Sequence, residues 1–212
     1  MNRILIDKDQ FIALKKDSEL TIKNDSVLTL VIEENIDLVF NIEKVKTDIY
    51  VYAVDKSLSV TINANKEKSI CNFYYSNINY DDNKYQINVY HKAPKSEVNL
   101  YNHGVNVENN KLLYDVTSKV PKDNKECITN QDNRIINIKD GKSTIRPILL
   151  IDNYDISSSH SAYIGKFDDD VMFYLTSRGI SVSKAYELLL KGFLVHADPE
   201  GITEFMDELS KI

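Results

Sequence analysis

The sequence predicts a mainly β protein, in which a body of stacked strands is followed by a short helical tail. Three observations support this fold class. Hydrophobic and polar residues alternate with a period of two from the N-terminus to about residue 156. Turn-forming residues interrupt this pattern about every ten residues. Near residue 168 the period changes to that of an amphipathic helix.

The predicted strands are rich in β-branched and aromatic residues, as half-buried strands are. Leu28, Leu30 and Ile32 alternate with small or polar neighbours. The same alternation recurs further along the chain, in residues 58–62, 85–89 and 98–100. The clusters between strands are made of Asn, Asp, Lys, Glu and Ser, and examples are residues 24–26, 33–35, 63–66 and 81–84.

Short strands at this spacing are compatible with a sandwich, a barrel or a solenoid. The chain has only six glycines and no Asn-Gly pair, the signature of a two-residue hairpin. Asn-rich turns between short strands favour a solenoid, in which each coil stacks on the next. Because no strict repeat is visible, the sandwich stays open as an alternative at this point.

The tail begins with an aspartate triplet. Asp168 is a suitable N-cap for a first helix, Arg178 falls in its last turn, and Gly179 is a natural stop. Ser181 caps a second helix that is expected to end near Gly192.

A third helix is expected to open at Asp198-Pro199. Its apolar stripe has helical spacing and consists of Ile202, Phe205, Met206 and Leu209. The expected division is therefore a strand-rich body over residues 1–166 and a helical region over residues 167–212.

Composition excludes several classes of function. The 212 residues carry a net charge of −6, which argues against nucleic acid as a partner because a phosphate backbone requires a basic face. Neither an apolar run of roughly 20 residues nor a signal peptide is recognisable, so we expect no membrane partner and a cytoplasmic location. Two cysteines without CxxC spacing fit a reducing compartment.

Searches for catalytic motifs find no GxSxG, P-loop, GxGxxG or HExxH pattern, so an enzyme is not expected. His160 stands out among the four histidines because it lies at the junction of strands and helices. It is either a packed junction residue or a metal contact, since imidazole suits iron and zinc. Cys71 is expected to be buried in a strand, and Cys127 to be more exposed.

The segment from about Asn130 to Phe193 resembles the SufB/SufD family of iron–sulfur cluster assembly proteins, and SufD more than SufB. The stretches that carry the resemblance are residues 130–134, 146–151, 158–165 and 173–181, followed by Ala185, Leu188, Leu189, Gly192 and Phe193. The resemblance covers about a third of the chain. It implies a right-handed parallel β-helix (a solenoid) with a small C-terminal helical domain.

The resemblance also implies partners. Members of this family pair through their β-helices and bind an ABC-type ATPase, SufC, through the C-terminal helices. The expected contacts with the ATPase are Phe173, Tyr174, Arg178 and Gly179. Phe173 and Tyr174 are neighbours on one helix, so at least one of them is expected to pack against the β body instead.

The family's histidine, implicated in iron or cluster handling at the subunit interface, falls on His160. Ser158 stands where many SufD-like chains have a cysteine, and Ser161 where SufB-like chains have a glutamate. Residues 140–143 contain no counterpart of the SufB cysteine. The N-terminal helical region of longer members has no counterpart either, which suggests a reduced form.

These expectations combine into one function. The chain is expected to be a non-catalytic scaffold that pairs with a SufB-like subunit or with itself and docks SufC. It has no intrinsic cofactor and holds iron or a cluster only transiently, shared with its partner. The alternatives are a β-solenoid enzyme acting on carbohydrates or nucleotide-sugars, and a plain structural interaction module.

Overall fold

The structure is a computed structural model that describes residues 1–43, 45–196 and 201–212. Its fourteen described strands form two seven-stranded sheets, and every pairing within them is parallel. Odd-numbered strands make one sheet and even-numbered strands the other, so each coil adds one strand to each sheet. This is the parallel β-helix that the resemblance implied, and it replaces the sandwich alternative.

The odd sheet consists of β1 (Asn2–Ile6), β3 (Ser18–Ile22), β5 (Ile36–Ile42), β7 (Leu58–Ala64), β9 (Asn83–His91), β11 (Lys111–Val120) and β13 (Lys142–Ile151). The even sheet consists of β2 (Gln10–Leu14), β4 (Ser26–Ile32), β6 (Lys46–Val54), β8 (Ile70–Asn79), β10 (Glu97–Asn106), β12 (Cys127–Asn137) and β14 (Ile156–Gly165). The helices are α1 (Asp169–Ser177), α2 (Val182–Leu194) and α3 (Thr203–Leu209).

The coils lengthen along the chain. Asn2 pairs with Ser18, sixteen positions later, whereas Lys111 pairs with Lys142, thirty-one positions later. Strands lengthen as well, from five residues in β1 to eleven in β12. The β-helix therefore widens along the chain. Because the number of residues per coil changes, no fixed repeat is visible in the sequence.

The interior changes character as the coils widen. In the narrow coils, inward side chains form apolar columns such as Leu20, Phe40 and Ile62, all fully buried. In the wide coils the space is filled by stacked tyrosines and by buried polar groups, namely Tyr75, Tyr85, Tyr114, Asn102, Ser118, Gln131 and Asn133. These tyrosines and polar groups share the interior of the wide coils with apolar residues such as Val98 and Leu112.

The corners of the coils are fixed by the Asp and Asn residues that predicted turns. Several of them accept a hydrogen bond from a backbone N–H of the following coil, among them Asp25, Asn35 and Asp82. Asp25 Oδ1 accepts from Lys46 at 2.7 Å, and Asn35 Oδ1 accepts from Ser57 at 2.8 Å. These side chains hold consecutive coils together where strand pairing ends.

An amide ladder crosses the outer face of the even sheet. Asn72, Asn99 and Asn130 each donate to the side chain one coil earlier, at 2.8–2.9 Å, and the first acceptor is Asp48. Ser159 on β14 donates to Asn130 at 2.7 Å and so joins the last coil to the ladder. Such stacked amides are a recurrent way of fixing the register of parallel strands.

The helical tail confirms both predicted caps. Asp168 accepts from the Asp170 N–H, and Ser181 accepts from the Lys184 N–H. Gly179 has a φ of +85°, as expected for the residue after a helix end. The second helix continues past the predicted end at Gly192, because Leu194 is fully buried against the sheet.

Helices α2 and α3 pack on the outer face of the even sheet and form a second hydrophobic cluster with it. This cluster joins Leu190, Leu194, Phe205 and Leu209 to sheet residues such as Tyr52. The predicted helix start at Asp198-Pro199 lies outside the described residues, and α3 begins at Thr203. Among the described helices, none has the length and apolar character needed to cross a bilayer.

His91 is a buried titratable group at the end of β9. Its Nδ1 lies 2.8 Å from Ser96 Oγ, and no hydrogen-bond partner of its Nε2 is found in the described part of the chain. Burial lowers the pKa of His91 from 6.5 to about 4, against a smaller upward effect of the bond to Ser96.

We expect acid to destabilise the fold through His91. Between pH 6.5 and about 4 the unfolded chain binds a proton that the folded chain excludes, so the free energy of unfolding falls as the pH falls. Replacing His91 with Gln should remove about 2 kcal/mol of the loss between pH 7 and pH 4.5. Urea titrations of both proteins at the two pH values measure this difference, and equal losses would contradict the assignment.

Candidate functional site

Within residues 1–43, 45–196 and 201–212, nothing covers the wide end of the β-helix. Strands β13 and β14 are the last of their sheets, and each has a neighbour on one side only. On β13, the inward residues Ile145, Pro147 and Leu149 are half-buried, whereas their counterparts in the preceding coil are fully buried. On β14, Ile164 is 42% exposed although it faces inward. We call β13, β14 and their inward side chains the open end.

His160 lies in the middle of β14, at the open end. It pairs in register with Gln131, which is buried inside the coil beneath it. His160 therefore occupies an inward position, yet it is exposed because the part of the chain that the structure describes places no further coil over it. Gln131 Nε2 donates to Ser118 Oγ at 2.9 Å, so the layer under the histidine is polar.

Two outward serines that flank His160 fix the strand. Ser159 Oγ donates to Asn130 Oδ1 at 2.7 Å, and Ser161 Oγ donates to Asp132 Oδ1 at 2.6 Å. Each outward serine is thus tied to β12. This anchoring gives the exposed His160 ring a rigid base although β14 is an edge strand.

Asp132 is a charged centre next to this strand. It accepts from Ser161, from Arg134 Nε at 2.9 Å and from His103 Nε2 at 3.4 Å. Burial acts to raise its pKa, but the bonds from His103, Arg134 and Ser161 outweigh burial and hold the pKa well below its usual range. Asp132 is therefore a carboxylate throughout the physiological pH range.

Helix α1 forms a second exposed feature. None of its residues is buried, and Phe173 and Tyr174 are 73% and 53% exposed. The expectation that one of these two rings packs against the β body is wrong, because both rings are exposed and α1 packs mainly on α2. The Arg178 guanidinium lies 4.5 Å from the centre of the Tyr174 ring, and Gly179 follows as the helix stop.

Comparison with known proteins assigns the sequence to a family. The family model for the SufBD core domain of SUF-system FeS cluster assembly matches residues 19–193. This chain belongs to the SufBD family. The match extends the resemblance from the last third of the chain to almost the whole β-helix and the first two helices.

Curated relatives match over a shorter segment. The SufD protein of Bacillus subtilis is 37% identical over 65 residues, which is 30% of this chain and 15% of the relative. A SufBD family protein of Pyrococcus horikoshii is 40% identical over 65 residues, 31% of this chain and 14% of the relative. The SufB protein of B. subtilis is 36% identical over 77 residues, 35% of this chain and 17% of the relative. The matched segment thus spans about one sixth of the length of these relatives.

The geometry explains part of the SufBD resemblance. Within residues 130–134, Asn130 and Asp132 hold Ser159 and Ser161 of β14, and Asn133 Nδ2 donates to the Ser161 carbonyl at 3.1 Å. The motif therefore positions the strand that carries His160. Sequence reasoning recognised the motif but did not connect it with β14, which follows it by about thirty residues.

Both cysteines of this SufBD-family chain are free and fully buried. The expectation that Cys127 is more exposed is wrong, because Cys127 opens β12 with its side chain turned into the corner. Its Sγ lies 3.4 Å from the Asn124 carbonyl oxygen and 3.6 Å from that of Ala93. Cys71 lies in the apolar core, where burial raises the pKa of its thiol strongly.

Two histidines near the tail were not singled out from the sequence. His103 on β10 and His196 after α2 have ring centres 4.8 Å apart. Burial and then the nearby His103 lower the pKa of His196 to about 4. A search of the described residues found no group of three or more His, Cys, Asp or Glu side chains that could hold a metal ion.

Proposed function

We propose that this chain is a non-catalytic scaffold subunit of SUF iron–sulfur cluster assembly. The observation that carries the proposal is the open end, where a SufBD-family β-helix presents two unpaired strand edges and half-exposed apolar side chains. Uncovered ends of this kind promote association unless another surface covers them. The part of the chain that the structure describes leaves the open end uncovered, so we propose that a partner protein binds there.

The proposed partner at the open end is a SufB-like subunit or a second copy of this chain. Backbone N–H and C=O groups along β13 and β14 would pair with strands of the partner. The side chains of Ile145, Leu149 and Ile164 would be buried at the same time, which supplies apolar area at the centre of the interface.

We propose that α1 docks a SufC-type ABC ATPase. Its exposed aromatic rings, Phe173 and Tyr174, are of the residue type that dominates interface energetics, as is Arg178. Cap interactions at both ends stabilise the helix that presents these rings. ATP hydrolysis would belong to the partner.

His160 is the proposed contact for iron or for a cluster, which is the cargo of the assembly. Its imidazole is exposed, inward-facing and placed on the surface that the partner would cover. Imidazole is a suitable iron ligand. The other ligands would come from the partner, so cargo would be held between the two chains. Two free buried cysteines fit the reducing cytoplasm, where we place the complex.

Replacing Phe173 with Glu should weaken ATPase binding at least about tenfold, because a charge replaces an anchor residue. Folding should be unaffected, since the ring is 73% exposed. Co-purification followed by titration calorimetry with a SufC-type ATPase measures the effect. Tyr90→Glu on the odd sheet is the matched control, and equal affinities of all three proteins would contradict the docking site.

Replacing Ile164 with Lys should convert the paired form into monomers, because the ammonium would be buried in the interface without a partner. Leu5→Lys at the narrow end is the control, since Leu5 is similarly exposed at 53%. Sedimentation velocity distinguishes the species. A stable pair in the Ile164 variant would place the interface elsewhere.

Replacing His160 with Ala should reduce iron–sulfur enzyme activity in a cell that depends on this chain, while pairing and ATPase binding are retained. The side chain is exposed, so the melting temperature should not change. Ser157→Ala on the same strand serves as the control. Full activity in the His160 variant would remove the cargo contact and leave the scaffold role intact.

A further inference from the structure

A continuous chain of side-chain contacts joins β14 to the end of α2. Ser161 Oγ on β14 donates to Asp132 Oδ1 at 2.6 Å, and Asp132 Oδ2 lies 3.4 Å from His103 Nε2. The other ring nitrogen of His103, Nδ1, lies 3.0 Å from the Phe193 carbonyl oxygen in α2. Residues far apart in the sequence thus connect the open end with the helical tail.

Both partners of the His103 ring are acceptors. A carbonyl oxygen and a carboxylate oxygen cannot donate, so the two bonds coexist when both ring nitrogens carry a proton. The carboxylate of Asp132 is itself charged, which strengthens a hydrogen bond that it accepts from the ring. Arg134 Nε donates to the same carboxylate at 2.9 Å.

The end of α2 is held to the same point by packing. The rings of His103 and Phe193 stack with an interplanar angle of 1° and centres 4.8 Å apart. One residue later, the Leu194 carbonyl accepts from Ser76 Oγ at 2.5 Å. A displacement of the end of α2 therefore also displaces the His103 ring, whose Nε2 contacts Asp132.

We propose that Asp132 and His103 are positioning residues that couple the helical tail to strand β14. A shift of α2 would be transmitted through His103 and Asp132 to Ser161, which is the neighbour of His160. Only the biological role of this coupling rests on the proposed function: through it, a partner bound to α1 would alter the open end. The coupling itself is a property of the isolated chain.

The test is hydrogen exchange of the β14 amides in the isolated full-length protein. Leu190→Ala loosens the tail, because Leu190 belongs to the tail cluster and not to the core of the β-helix. We expect this variant to speed exchange in β14 at least about fivefold, a usual size for coupling between sites. The same substitution is then made in a Ser161→Ala and in a Ser159→Ala background.

These two serines form a matched pair. Both are exposed, both lie on β14 and both donate to β12, but only the acceptor of Ser161 leads to the tail. The effect of loosening the tail should vanish in the Ser161→Ala background and persist in the Ser159→Ala background. Asp132→Asn, which removes the charge opposite His103, should behave like Ser161→Ala.

Three results would overturn the coupling. The first is unchanged exchange of the β14 amides in Leu190→Ala. The second is faster exchange that persists when Leu190→Ala is combined with Ser161→Ala. The third is an equal loss of the faster exchange in both serine backgrounds. Because no partner is present, failure of this test is distinct from failure of the scaffold function, which is judged by binding.

Discussion

Stacking in register is the constraint on which this structure depends. Strands of both sheets pair in parallel, so each residue lies directly over its counterpart in the coil before it. Similar side chains then form columns, mainly apolar inside the narrow coils and hydrogen-bonded on the outer face, as in the ladder from Asp48 to Ser159. Each side-chain bond contributes only about 1 kcal/mol. Their repetition makes a shift of register costly for the whole stack, which keeps the last strand fixed although nothing in the described chain covers it.

The body and the tail have separate hydrophobic clusters. The core of the β-helix runs from Ile6 to Ile135, while the tail cluster lies on the outer face of the even sheet. Their separation allows the tail to adjust without opening the core. It also explains why the polar contacts between them matter, since Ser76, His103 and Asp132 fix positions that packing alone would leave loose.

Much of the fold follows from local sequence signals. Alternation predicted the strands, and Asp and Asn clusters predicted the corners, because both depend on neighbours in sequence. The caps at Asp168 and Ser181 were predictable for the same reason. Coil length was not predictable, since it changes along the chain and leaves no fixed period in the sequence. The exposure of both Phe173 and Tyr174 depends on where α1 lies relative to the β body, which no local sequence pattern encodes.

The candidate site was predictable only in part. His160 was found through its motif, but its inward orientation depends on pairing with Gln131, about thirty positions earlier. The contact between His103 and Phe193 joins residues ninety positions apart. Cys127 was misjudged because charged neighbours suggested exposure, whereas the corner turns its side chain inward.

The widening of the β-helix has a consequence for assembly. A five-residue strand such as β1 cannot continue an end bounded by ten-residue strands without leaving half of that edge unpaired. Two wide ends, in contrast, have equal cross-sections and match along their full length. A narrow strand such as β1 is therefore a poor geometric match for the open end, whereas a second open end matches it in length.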